Sequence, residues 1–122
     1  MIDGKKLIKS FGYAFKGLVE LLKTEQNAKI HLTITILVFV LAIALRVNHL
    51  EAAILFIAVI MVFALEIINT AIEKILDFLH PDNHWVIAKV KDALAGAVLI
   101  AATIAVVVGI LIFFPYFRNL VI

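Results

Sequence analysis

Glu66-Ile67-Ile68-Asn69-Thr70-Ala71-Ile72-Glu73-Lys74-Ile75-Leu76-Asp77 continues an apolar run that begins near Ala52 and is long enough to cross a membrane, yet it turns acidic before that run ends. At about 100° per residue on an α-helix, Glu66, Asn69, Glu73 and Asp77 fall within about 80° of one another and form one polar stripe on an otherwise apolar helix. A carboxylate near the centre of a membrane helix costs about 2.5–3.5 kcal/mol, so Glu66 needs a partner, a wet pocket or a chemical task. At about 1.5 Å per residue, Glu66 lies about 10 Å from Glu73 along the axis, too far for the two to grip one ion. They suit separate tasks, one facing the membrane and one facing water. The structural alternative makes Glu66 and Asn69 interhelical hydrogen-bonding groups and the segment from Glu73 to Asp77 an ordinary helix end.

The rest of the chain fits that membrane reading. Its 122 residues are the size of one domain, and 65% of them are hydrophobic, with a mean hydropathy of +1.15. Such a composition excludes an ordinary soluble domain. The absence of cysteine excludes a disulfide framework and a thiolate metal site. No feature points to nucleic acid.

Outward from the stripe, three runs can each span a bilayer as helices, over about 30–48, 52–76 and 93–114. Arg46, Asn48 and His49 end the first, and Pro115, Tyr116 and Arg118 close the third. A polar connector over 78–92 separates the second from the third, with Pro81 and Asn83 as helix breakers. Residues 1–29 carry six lysines among Leu7, Ile8, Phe11, Phe15, Leu18 and Leu22 at helical spacing, without an uninterrupted apolar run. This predicts an amphipathic helix lying on the membrane surface, its lysines facing anionic lipid or binding phosphate. No small-residue cleavage site ends the first apolar run, which argues against a signal peptide. The fold expected is thus all-α, a surface helix plus three spans, in one integral membrane domain over 1–122.

Charge sets the expected orientation. The N-terminal segment and the second connector hold nine basic residues, six plus Lys74, Lys89 and Lys91, against Arg46 and Arg118 on the other side. The positive-inside rule then places the N-terminus and the 78–92 connector in the cytosol. Ala93, Ala97, Ala101, Ala105 and Gly109, with Gly96 and Ala102 beside them, form a ridge of small residues suited to close helix packing within or between chains. Around the cytosolic end of the stripe, Glu25, Lys91 and Asp92 add carboxylates and a cation. That set suits a Mg²⁺-nucleotide, since Mg²⁺ is held by one or two carboxylates plus substrate phosphates. The chain has neither a G-x-x-x-x-G-K loop nor a Gly-rich kinase loop. His80 and His84, four apart across Pro81, read as connector residues ahead of metal ligands.

Glu66-x-x-Asn69-Thr70-Ala71-Ile72-Glu73-x-x-Leu76-Asp77, followed by Ala88-Lys89-Val90-Lys91-Asp92 and Gly96-Ala97-Val98-Leu99-Ile100-Ala101, resembles the signature of the small prokaryotic diacylglycerol kinase family, which includes undecaprenol kinases. Gly12-Tyr13-Ala14-Phe15-Lys16-Gly17-Leu18 is similar to that family's N-terminal helix, so the likeness covers nearly the whole chain. The resemblance implies transfer of the γ-phosphoryl of Mg-ATP to a lipid hydroxyl by a homotrimer with active sites shared between protomers. By matching positions, Glu66 is the general base and Asn69 its support, while Glu25 and Glu73 hold Mg²⁺. Lys6, Tyr13, Glu25, Glu73, Asn83, His84, Lys91 and Asp92 contact ATP, and Glu66 and Phe15 meet the lipid. Lys6 stands where some members have arginine, and His31 where some have a second acidic residue, so no role carries over to His31. Ala95-Gly96-Ala97-Val98-Leu99 after Lys91-Asp92 is more like the undecaprenol kinase branch, which implies undecaprenol as acceptor, with diacylglycerol the alternative. A non-enzymatic oligomer or ion-conducting subunit with Glu66 lining a pore is the other class, and it gives Lys91, Asp92, Glu25 and Glu73 no purpose.

Overall fold

A computed structural model describes residues 1–82 and 84–122. The described residues form four helices in chain order: α1 (Gly4–Thr24), α2 (Gln26–Leu45), α3 (His49–Leu79) and α4 (Trp85–Val121). α2, α3 and α4 are each long and apolar enough to cross a membrane.

Helix boundaries follow from local chemistry. The Asp3 carboxylate accepts from the backbone N–H groups of Lys5 and Lys6 at 3.0 and 3.4 Å and so starts α1. Glu25, extended at φ −107° and ψ 121°, is the corner where α1 stops and α2 begins. The expected surface segment over 1–29 therefore ends four residues early, and Lys29 belongs to the first span helix. Arg46 ends α2 in the left-handed conformation, φ 55° and ψ 48°. There the N–H groups of Arg46 and Val47 reach back to the carbonyls of Ile43 and Ala42, each at 3.2 Å, closing a Schellman-type cap. Asn48 then starts α3 through a reciprocal capping box with Glu51, at 2.8 and 3.3 Å.

The ends of α3 and α4 depart from the sequence expectation in two places. The polar connector is confined to the residues between Leu79 and Trp85, so Lys89, Lys91 and Asp92 lie on α4 and not in a 78–92 loop. Two local features support that extra helix: His84 Nδ1 accepts from the Val86 N–H at 3.2 Å, and Lys91 forms an ion pair with Asp77 across to α3. At the far end, α4 passes through Pro115 and stops only at Val121. Proline removes one hydrogen bond near the end of a 37-residue helix, and Tyr116, one residue on, donates from its hydroxyl to Glu51 Oε1 at 2.5 Å. That tie to the start of α3 holds the last turns in place.

α2 and α3 run antiparallel from the Arg46 turn, and α3 is packed against both α2 and α4. With 31 residues against the 20 of α2, α3 projects past the start of α2 at the Glu25 end. At the Arg46 end the core is Ala42, Leu55, Ile112 and Phe113, with Val38, Leu41, Leu45, Val47 and Val108 against it. Toward the Glu25 end the buried groups change character to Thr35, Glu66, Asn69 and Thr70. Large apolar side chains such as Leu37, Ile57, Leu99 and Leu111 remain more than half exposed, as residues facing hydrocarbon are. The small-residue ridge of α4 does not press a glycine against a neighbouring helix of the same chain, since a Cβ built on Gly96 or Gly109 meets nothing within 4 Å.

Candidate active site

α3 carries the stripe from a buried to an open environment. Glu66 and Asn69 are 4% and 7% exposed, Glu73 is half-buried, and Asp77 is open. Thr70, 4% exposed, lies beside them. The amphipathic switch along one helix face thus places Glu66 deep among helices and Asp77 at the surface, separated by about 16 Å of helix rise.

Glu66 faces α2. Its Oε2 lies 3.9 Å from His31 Nε2, with the Glu66 and His31 side chains 5% and 20% exposed. Among the described residues this is the one cationic or titratable nitrogen within 4.0 Å of that carboxylate. Thr35, one turn further along α2, turns its hydroxyl back onto the His31 carbonyl at 2.7 Å. Asn69 Oδ1 is buried without a hydrogen-bond partner. A buried unpaired amide oxygen costs about 1–3 kcal/mol, so it marks a position kept for an incoming donor or held at a cost.

From His31 and Thr35 a cavity of about 510 Å³ runs between α2, α3 and α4 toward the Arg46 end. Val38, Leu41, Val59 and Val62 line it on two sides, Ala102, Ala105 and Gly109 of the small-residue ridge on the third, and Phe113, Phe114 and Phe117 at its far end. Measured along α4 from Ala102 to Phe117 it is about 22 Å long. Apart from His31 and Thr35 its lining side chains are apolar. An alkyl or isoprenoid chain fits such a wall; His31 and Thr35 form its polar end, and Glu66 lies behind it, 3.9 Å from His31.

At the water-facing end of the stripe, Lys74 Nζ is 3.5 Å from Glu25 Oε1. This contact brings the α1–α2 corner to the turn of α3 that bears Glu73. Lys91 is paired with Asp77, and a second hollow of about 360 Å³ opens there between Asp77, His80, Asp82, His84, Trp85 and Lys91. The His80 and His84 rings are 5.2 Å apart, His84 stacks on Trp85 at 6.1 Å, and Lys89 lies 4.9 Å over the Trp85 ring. Asp92 is exposed. Lys6, Tyr13 and Phe15 lie exposed along α1, and among the described residues none of them forms an ion pair or side-chain hydrogen bond with the stripe. Asn83 lies outside the described residues. Among the described residues no three His, Asp or Glu side chains converge on a point that could hold a metal ion. Mg²⁺ is usually held by one or two carboxylates plus phosphate oxygens, and Glu25, paired with Lys74, and Glu73, the residue before Lys74, are carboxylates of that type at this end.

His31 and Lys74 are the residues the sequence reading passed over. His31 is the one titratable side chain between Ile30 and Leu45, and an ionisable group in an apolar span is a signal by itself.

Known proteins share this arrangement of sequence. The family model described as prokaryotic diacylglycerol kinase matches residues 12–113. The undecaprenol kinase of Bacillus subtilis is 34% identical over 110 residues, covering 90% of this chain and 89% of that protein. The diacylglycerol kinase of Synechocystis sp. is 34% identical over 117 residues, 95% of this chain and 67% of that protein. That of Escherichia coli strain K12 is 30% identical over 112 residues, 92% of each. With its stripe, its spans and these likenesses together, the chain belongs to the prokaryotic diacylglycerol kinase family.

Proposed function

We propose that this lipid kinase transfers the γ-phosphoryl group of Mg-ATP to the hydroxyl of undecaprenol, giving undecaprenyl phosphate. The observation that carries the reading is Glu66, a buried carboxylate 3.9 Å from the His31 that forms the polar head of an otherwise apolar cavity, on the same helix face as carboxylates that reach water. A lipid alcohol lies with its chain along the cavity and its hydroxyl at Glu66, while the nucleotide reaches the stripe from the aqueous end. The relative named undecaprenol kinase covers nearly the whole chain, and an apolar cavity headed by His31, the partner of Glu66, suits a single-chain alcohol. Diacylglycerol is the second reading, favoured by the relatives of that name.

In the proposed reaction Glu66 accepts the hydroxyl proton as the new O–P bond forms and the bond to the β-phosphate oxygen breaks. Asn69 supports Glu66 through its side-chain amide N–H₂, which can donate to a carboxylate, and its buried Oδ1 is left for an incoming donor. Mg²⁺, when bound with the triphosphate, neutralises charge on the phosphate oxygens. Glu25 and Glu73 are the residues that would hold it. Lys91 exchanges Asp77 for a phosphate oxygen, and Lys6, Tyr13, Asn83, His84 and Asp92 complete the nucleotide site. Catalysis of this type rests on positioning and electrostatics.

The chain forms one integral membrane domain over 1–122, embedded in the bacterial cytoplasmic membrane with the N-terminus and the 80–84 connector in the cytosol. α1 lies along the membrane surface, its Leu7, Ile8, Phe11 and Phe15 toward lipid, and Phe15 reaches the acceptor. Three chains assemble, so that α1 of one brings Lys6 and Tyr13 to the stripe of another. The test is direct: purified protein, Mg²⁺ and γ-labelled ATP with undecaprenol or diacylglycerol in parallel. Label in undecaprenol supports the reading, label only in diacylglycerol replaces the substrate, and label in neither overturns it.

A further inference from the structure

We propose that His31 is the positioning residue for Glu66, holding its carboxylate in place to take the proton of the lipid hydroxyl; this rests on the reading of Glu66 as the base. The pair is isolated. His31 on α2 and Glu66 on α3 face one another at 3.9 Å, both largely buried, and His31 also lines the head of the apolar cavity. That separation exceeds a direct hydrogen bond, and a small rotation of either side chain closes it. Among the described residues no other charged side chain forms an ion pair with either. On α3 the next carboxylate, Glu73, is two turns away, and Lys74 is engaged by Glu25. On α2 itself Lys29 is exposed, and α4 has no ionisable side chain between Asp92 and Tyr116.

A carboxylate that must accept a proton in an apolar site needs its unreactive oxygen held, because rotation about its terminal bonds otherwise samples unproductive orientations. An N–H donor from imidazole does this in water-poor surroundings where hydrogen bonds to charged groups are strong. The Thr35 hydroxyl is engaged by the His31 carbonyl and is not available to Glu66. Among the described residues of α2, Nε2 of His31 is thus the side-chain donor that faces the carboxylate, opposite Asn69 on α3.

The closing experiment combines side-chain replacement with a double-mutant cycle, read as kcat for the lipid and KM for Mg-ATP in the purified, detergent-solubilised protein. His31→Gln places an amide N–H where Nε2 lies and retains kcat within about threefold, whereas His31→Leu, similar in volume and without a donor, loses about tenfold or more. KM for Mg-ATP stays within about twofold in both, because the nucleotide end is remote. In a Glu66→Gln background His31→Leu causes no further loss, since both changes remove one device. His31→Asn, whose amide falls a bond short, substitutes for His31→Leu if the latter does not fold and is expected to behave the same way. Equal activities for the Gln and Leu variants, or additive losses in the cycle, overturn the role of His31 while leaving the base intact. Full activity of Glu66→Gln alone instead removes the base and this proposal with it.

Discussion

Replacing Glu66 by glutamine preserves shape and removes the charge, so it separates the cost of the residue from its use. The cost comes from burial. The side chain is 5% exposed, with His31 at 3.9 Å as its partner, in a helix where a central carboxylate costs about 2.5–3.5 kcal/mol. His31 offsets part of this, so glutamine should stabilise the folded chain by about 1–2 kcal/mol, seen as a rise in the thermal midpoint of the purified protein. The use is kinetic. A positioned general base contributes about 10²–10⁴-fold, equivalent to about 3–5 kcal/mol of barrier. The expected variant is therefore more stable and at least about a hundredfold slower in lipid phosphorylation, with KM for Mg-ATP little changed. Thermal melts and initial rates on one preparation decide it. A variant within tenfold of the parent rate, or one whose lost activity tracks lost stability, refutes the reasoning.

Three further outcomes follow from other contacts. Lys91→Ala removes the cation shared by Asp77 and the proposed phosphate site, and KM for Mg-ATP should rise about tenfold or more while KM for lipid holds; steady-state kinetics with each substrate varied checks this. Glu25→Gln and Glu73→Gln should each shift the Mg²⁺ concentration for half-maximal rate upward, and chelation should abolish the parent activity reversibly; a Mg²⁺ titration of rate reads both. Arg46→Gly relieves a left-handed residue at φ 55° and should stabilise the α2–α3 turn by roughly 0.5–1 kcal/mol, measured as a raised unfolding midpoint with kinetics unchanged.

The spans and the stripe were legible in the sequence because both rest on composition and on helical periodicity, which survive without knowledge of neighbours. Glu66, Asn69, Glu73 and Asp77 do grade from buried to exposed along α3. The helix ends were less legible. Pro115 and the lysines of 85–92 read as stops in isolation, yet a long helix tolerates one lost hydrogen bond and long polar side chains once Glu51–Tyr116 and Asp77–Lys91 join neighbouring helices. Both contacts link residues distant in sequence, and no local propensity encodes them. His31 was hidden for the same reason, since its meaning comes from a carboxylate 35 positions away on another helix. The small-residue ridge suggests a packing interface, yet within this chain Ala102, Ala105 and Gly109 front the cavity and Gly96 and Gly109 meet no neighbouring helix.

The central claim is that the buried carboxylate of α3 serves phosphoryl transfer to a lipid alcohol whose chain occupies the cavity beside it. Its most direct measurement is incorporation of γ-labelled phosphate from Mg-ATP into undecaprenol and into diacylglycerol by the purified parent protein and its Glu66→Gln variant, side by side. The account predicts label in undecaprenol with the parent and loss of about a hundredfold or more with the variant. Labelled undecaprenol at the parent rate from Glu66→Gln, or no labelled lipid from the parent, would contradict it.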